Sequence, residues 1–417
     1  MFCLVRRLMP AIATIVLLPG CDDYSHNGVV NTPPPNYVTV LGVATSGGDG
    51  NETSYSAVPI SAGSFMVVGT TTSWGYGDSA AYIAAISPSA GAQWEKFPGG
   101  WGADHLTEVL PLGDGNYVMV GTTSSINLAT QNKVDPNQSW GFDYTDLNVY
   151  IVKTDSEGSA WWERAAGSTS YDEVGTSIVL DGSGYKASAV CNRSAAADVL
   201  LVSIDPEGHI LGQTSYEIAA TNLRGRTVKT DDGSLVFGGS GRFGTLPNPI
   251  PVFVKLNGAG AAVWQKTFSK GESYNIFLND LVADGNGAVG CGYAEEFPRT
   301  DSAAVRLYLI KVDGDGNKVW DFTYDQTTID EGRALVRKAD GSFIVAGQNR
   351  STAQIDICKI SSDGLLQWSD NTGVAGEATN LIVSGENFVV VGGTNPLGVT
   401  AERKALLILF AEDLTNL

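Results

Sequence analysis

Six aromatic residues lie in short glycine-containing stretches that also carry carboxylates. Two stretches have the same form, Trp74-Gly75-Tyr76-Gly77-Asp78 and Trp140-Gly141-Phe142-Asp143-Tyr144, and Trp101 sits in a glycine run just ahead of Asp104-His105. Flat apolar faces bordered by carboxylates suit a sugar ring or an extended peptide. Trp74, Tyr76, Trp101, Trp140, Phe142 and Tyr144, with Asp104 and His105, are therefore the candidate ligand-binding residues. The competing reading is that these rings pack on one another to hold long loops in shape.

The catalytic inventory is thin. Only three histidines occur, His26, His105 and His209, and the chain has neither a Gly-x-Ser-x-Gly elbow nor a His-Glu-x-x-His helix motif. Acid–base work by carboxylates such as Asp104 and Asp143 would leave no sequence signature. A recurring acidic feature, Asp104, Asp172-Glu173, Asp280, Asp330-Glu331 and Glu377, precedes apolar runs. Arranged in a ring, these carboxylates would offer a cation oxygen ligands; repeated in most units, they more simply accept hydrogen bonds from loop amides. Asp313-Gly314-Asp315-Gly316-Asn317 begins like a calcium loop, yet Lys318 and Tyr324 stand where such loops need glycine and glutamate. Two Gly-x-Gly-x-x-Gly matches, from Gly239 and from Gly285, open no helix and read as turn glycines. No catalytic residue, metal site or cofactor is assigned from the sequence.

The elements that must carry these residues repeat. The stretch 308–320, Tyr-Leu-Ile-Lys-Val-Asp-Gly-Asp-Gly-Asn-Lys-Val-Trp, returns around Trp94, Trp162, Trp264 and Trp368. Each tryptophan falls seven residues after Ser87, Asp155, Asn257, Asp313 or Ser361. That is a strand, a tight turn and a second strand. A preceding strand pair ends near Gly69, Gly121, Ala189, Gly239, Gly292, Gly347 and Gly392, a spacing of roughly 50 residues broken by an insertion at 128–146. Each unit thus reads as strands a, b, c and d. The first strand, near residues 37–41, has no partner before it, and the last, at 406–410, is a c strand with no d strand after it. The pattern predicts an all-β, seven-bladed β-propeller of four-stranded blades, closed by the N-terminal strand completing the last blade. Runs such as Phe388-Val389-Val390-Val391 are apolar on successive residues, as blades buried on both faces require. The tryptophans are expected to dock on neighbouring blades, and the third unit, with Gly212 in that place, to make the weakest such contact.

The start reads as a signal peptide over residues 1–20, with Arg6-Arg7 before an apolar core. Its end, Leu18-Pro19-Gly20-Cys21, resembles the bacterial lipobox, which implies that Cys21 is lipidated. Acyl chains contribute about 0.8 kcal/mol per buried methylene, so several make a lasting anchor. Residues 21–36, closing on Thr32-Pro33-Pro34-Pro35, read as a flexible tether, and 37–417 as the propeller domain. With a net charge of −19 over 417 residues, the chain repels phosphate backbones, which argues against nucleic acid as a partner. Cys191, Cys291 and Cys358 have no paired spacing and read as small buried residues.

The turn with its fixed tryptophan resembles the tryptophan-docking repeats of quinoprotein-type propellers and the propeller lipoproteins of the outer-membrane protein assembly machinery. Quinoprotein dehydrogenases usually have eight blades and an adjacent cysteine pair over the cofactor, so no cofactor ligand is carried over. The expected function is a binding or scaffold module, anchored by lipid to a membrane of the bacterial envelope, the outer membrane or cell surface being favoured. Its loop-rich face would take a glycan or an envelope protein. Two other functions fit the same chain: a carbohydrate-active hydrolase or lyase working on that face, and a structural subunit of an envelope complex.

Overall fold

The structure is a computed structural model that describes residues 37–60, 63–75, 77–127, 131, 146–192, 196–244, 248–296, 305–325, 327–394 and 402–412. The residues expected to form a signal peptide (1–20), Cys21 and the expected tether, and all of the insertion at 128–146 but residues 131 and 146, lie outside the described residues. So do Tyr76, Trp140, Phe142, Asp143 and Tyr144.

All regular structure described is β. Five sheets have four strands in sequential antiparallel order and a sixth has seven. The large sheet is two blades joined by one long strand, Leu366–Ser384, which pairs with Gln354–Ile360 up to Ala375 and with Asn387–Thr394 from Gly376 onward. Counted that way the chain makes seven blades, as the repeat predicts. Their innermost a strands are Glu52–Pro59, Asp104–Pro111, Glu173–Asp181, Ala220–Lys229, Tyr274–Asp284, Glu331–Arg337 and the second half of Leu366–Ser384. Val38–Ser46 pairs antiparallel with Ala405–Glu412 and supplies the missing d strand of blade 7. The Val38 amide also donates to Asp370 of blade 6 at 3.0 Å, and Glu412 accepts from Lys359 of blade 6 at 2.7 Å. Val38 and Glu412 are register partners, so blade 6 holds this end of the closing pair.

The core lies between blades. Each hydrophobic cluster joins strands of adjacent blades, for example Met66, Ile83, Met119 and Tyr150 of blades 1 and 2. The tryptophans dock as their spacing predicts. Trp264 of blade 4 donates its indole N–H to Gly314 O of blade 5 at 2.9 Å, and its ring covers Gly316 so closely that a Cβ there would lie 2.8 Å away. Trp162 covers Gly208 and Trp320 covers Gly364 in the same way, donating to Pro206 O and Ser362 O. In blade 3, without the ring, Gly260 of blade 4 meets only Leu201 and Thr214 side chains, at 3.4 Å and beyond.

Glycine ends strand b for a specific reason. At Gly121, Gly292 and Gly392 a Cβ would come within 1.9 Å of a strand a carbonyl, that of His105, Phe277 or Glu377. The close approach arises where strand a is bulged, and that bulge positions the functional residues. Cys191, Cys291 and Cys358 are free and buried. Among the described residues no helix is long and apolar enough to cross a membrane.

Candidate functional site at the mouth of the ring

Strand a runs away from the face that carries the d-to-a and b-to-c loops, so its first residues form the mouth of the ring on that face. The parallel bridge between Ser79, in a b-to-c loop, and Ala103, in a d-to-a loop, ties the two loop types together there. In all seven blades strand a has one extra residue: in six at the register shifts Ser54/Ser56, Leu106/Glu108, Gly175/Ser177, Leu278/Asp280, Gly332/Ala334 and Ala378/Asn380, and in blade 4 earlier in the strand, between Thr221 and Arg224. In most of them the bulged side chain reaches the next blade. Thr107 Oγ1 donates to Gly175 O at 2.8 Å, Asn279 Nδ2 donates to Gly332 O at 2.8 Å, and Thr379 Oγ1 donates to Ser54 O.

In two blades the same slot holds a side chain able to do chemistry. Tyr55 of blade 1 stands edge-on to His105 of blade 2, ring centres 6.4 Å apart. Arg333 of blade 6 contacts Glu377 of blade 7 at 3.3 Å and Glu331 of its own strand at 2.6 Å. Two more arginines join from loop positions. Arg403 pairs with Glu377 at 2.8 Å, and Arg350 pairs with Glu331 while its guanidinium lies 5.6 Å over the Tyr293 ring. Tyr293 in turn stacks on Phe277 at 4.9 Å. An arc from blade 5 through blade 2 thus carries three guanidinium groups, two glutamates, two tyrosines and a histidine.

Burial sets the protonation of this arc. It pushes His105 down to about 4, so the imidazole is neutral at physiological pH. The Tyr55 phenol is raised by burial, with Arg403 pulling it back and Glu377 adding to the rise. Tyr293 is raised by burial as well.

One residue beyond the bulge, strand a carries a charged clasp across the axis. Arg226 of blade 4 holds Glu108 of blade 2 at 2.7 Å and Asp280 of blade 5 at 2.8 Å. Glu108 also accepts from the Ile178 amide of blade 3, and Asp280 from the Leu335 amide of blade 6. Burial raises both carboxyls, while Arg226 opposes that rise. Burial alone would lower Arg226, but its two carboxylates hold it above the ordinary value. Five blades are tied through one guanidinium, which leaves the mouth as a cup with a charged floor.

The recurring acids fall into distinct groups. Glu52, Asp104 and Glu173 share one register position, opposite Thr71, Thr123 and Cys191, and are buried within their blades. Asp104 accepts from the Gly100 amide at 2.8 Å and the Ser125 hydroxyl at 2.7 Å, and Glu173 from the Ser168 amide at 3.1 Å. These acids hold loops. Glu331 and Glu377 stand one residue further along, in the register of His105, and take arginines instead. Asp280 does not precede strand a; it lies inside it, in the clasp. Asp313 caps its own turn, accepting from the amides of Asp315 and Asn317 at 3.0 and 2.8 Å.

Of the residues singled out in the sequence, His105 lies at the mouth, Asp104 is enclosed behind it, and Trp74 and Trp101 lie on the surrounding loops. Trp74 packs on Phe97 with ring centres 5.1 Å apart and stays 36% exposed, and Trp101 is 46% exposed. One face of Trp74 supports the loop and the rest meets solvent. Arg333, Arg350, Arg403, Tyr55 and Tyr293 escape the sequence reading. The available signal is an arginine inside or just beside strands that are otherwise apolar or small, in a strongly acidic chain.

No family model and no curated protein sequence matches this chain. Among solved structures it is similar to the polysaccharide lyase Uly1, at 10% identity over 95% of this chain and 96% of that one, with a TM-score of 0.53. It is also similar, at a TM-score of 0.47, to the α-L-arabinofuranosidase Arb93A of Fusarium graminearum, at 11% identity over 72% of this chain and 91% of that one. The likeness to Uly1 concerns the fold alone: the chain is a β-propeller of that general build.

Proposed function

We propose that this chain is an envelope propeller that engages a glycan at the mouth of its loop-rich face. The observation that carries the reading is the arc of Tyr55, His105, Arg333, Arg350 and Arg403, bordered on the loops by half-exposed Trp74 and Trp101. Aromatic faces for sugar rings beside convergent hydrogen-bond donors make a carbohydrate site in chemical terms. In this reading Cys21 carries the lipid anchor, residues 21–36 hold the ring off the membrane, and the mouth faces envelope polymers. The test is binding of the full chain to a panel of polysaccharides, with Trp74→Ala and Trp101→Ala compared to wild type. Loss of binding in the variants supports the reading, and unchanged binding sinks it.

A second reading, catalysis at the same mouth, is favoured by one observation. His105 is held neutral by burial and its ring lies edge-on to that of Tyr55, centres 6.4 Å apart, so an unprotonated imidazole and a phenol line the same part of the mouth. That pair suits removal of a proton from a sugar carbon with protonation of the departing oxygen, the acid–base requirement of a lyase. The shared fold with a polysaccharide lyase is compatible with it. Turnover of a bound polysaccharide that disappears in His105→Ala, with binding retained, would establish catalysis. Binding without turnover across the panel would leave the non-catalytic reading.

A further inference from the structure

Resting on the glycan reading, we infer that the mouth is built for an acidic sugar, whose carboxylate is received by Arg333 and Arg403 with Arg350 beside them. Three guanidinium groups are gathered on blades 6 and 7 of a chain with net charge −19. Simple stabilisation of the fold does not require this gathering, because blades 2, 5 and 7 are stitched to their neighbours at the same slot by a threonine or an asparagine. Glu377 and Glu331 bind Nη2 of Arg333 and Arg403 and the Nε edge of Arg350, which fixes the direction of each fork. The Nη1 edges of Arg333 and Arg403 stay outside those pairs. Their Nε–H groups are buried behind the forks and have no acceptor among the described residues. The side chains of the three arginines keep 28 to 35% of their surface exposed.

A planar fork held from behind by carboxylate is preorganised for a second carboxylate in front, and loses little freedom on binding it. The acidic groups around the arc include Glu331, Glu377, Glu295, whose charge acts on Tyr293, and Asp330, which accepts the Arg350 amide at 2.8 Å. These acids keep the cup from attracting anions indiscriminately. A carboxylate placed correctly on a ring is accepted, whereas a bare anion gains little. Gly393 shows how closely the geometry is set: a Cβ there would lie 2.1 Å from Arg403 Nε, so this position must be glycine for the guanidinium to lie where it does. The neutral His105 and the Tyr55 phenol complete the wall without adding charge.

The test uses an oligomer of a uronic acid and its carboxyl-reduced counterpart, titrated calorimetrically into the full chain in mild detergent. The inference expects at least a tenfold preference for the carboxylated oligomer, weakening as salt is raised. Arg403→Gln and Arg333→Gln should each bring the affinity for the carboxylated oligomer down to that of the reduced one. Arg403→Lys, which keeps the charge and the Glu377 pair, guards against loss through misfolding and should lose a severalfold part of the preference. Equal binding of the two oligomers by the wild-type chain would overturn the inference and leave the glycan reading standing. Binding of neither oligomer, nor of any other glycan, would overturn both.

Discussion

Replacing Arg226 by methionine removes the one cation that lies between Glu108 and Asp280. The wild-type contacts are 2.7 and 2.8 Å, and when the guanidinium is gone backbone amides are left, Ile178 for Glu108 and Leu335 and Leu281 for Asp280. Two buried carboxylates would then face each other uncompensated, a situation that costs about 3 to 5 kcal/mol. Both carboxyls are already raised by burial with the arginine in place, and without it they rise further. A carboxyl raised in the folded state favours folding fully below its unfolded pKa, and that contribution is lost as pH climbs through the folded value. The deficit of Arg226→Met should therefore be largest at pH 8 and shrink toward pH 4.5. Guanidinium unfolding followed by tryptophan fluorescence at the two pH values measures this directly. A companion variant, Glu108→Gln with Arg226→Met and Asp280→Asn, should recover most of the loss, because the charges disappear together. A deficit under about 1 kcal/mol at pH 8, or an equal deficit at both pH values, would refute the clasp as the element that ties the blades across the axis.

Trp264→Ala removes an indole hydrogen bond to blade 5 and the ring over Gly316; at about 1 kcal/mol for the bond and 25 cal/mol per Å² of apolar area, about 2 to 4 kcal/mol of stability should go. The reverse change in blade 3, Gly212→Trp, starts from a position where an added Cβ meets nothing within 4 Å and should be neutral or stabilising by thermal melt, so a large loss there would show that the site is not equivalent. His105, lowered to about 4 by burial, should show no imidazole titration between pH 5.5 and 8 by NMR, and a midpoint near 6.5 would remove its role as a neutral base. Its burial also lowers stability as pH falls from 6.5 toward 4, where the unfolded chain takes up the proton first.

The fold was legible because a propeller writes its unit several times. Tryptophan seven residues past the turn, and glycine at the end of strand b, are each required by contacts that recur from blade to blade, and repetition raises a weak local signal above chance. The long strand Leu366–Ser384, which serves two blades, was not visible as one element, since its two halves carry different repeat positions. The site was legible only in part. His105 and the loop tryptophans stand out by residue type. Arg333 and Tyr55 do not, because a bulge shifts the alternation of strand a by one residue and leaves no mark in the sequence. Asp104 looked available at the mouth, but its register turns it into the blade, where it holds the Gly100 amide and the Ser125 hydroxyl. One residue of register separates a loop-holding acid from one that faces the cup.

The most direct measurement is a crystal structure of the chain with a bound acidic oligosaccharide at saturating concentration. The account predicts density at the mouth, with a sugar carboxylate against Arg333 and Arg403 and a ring within contact of Tyr55 or His105. Density confined to another face, or an empty mouth in crystals grown from a solution in which binding is saturated, would contradict it.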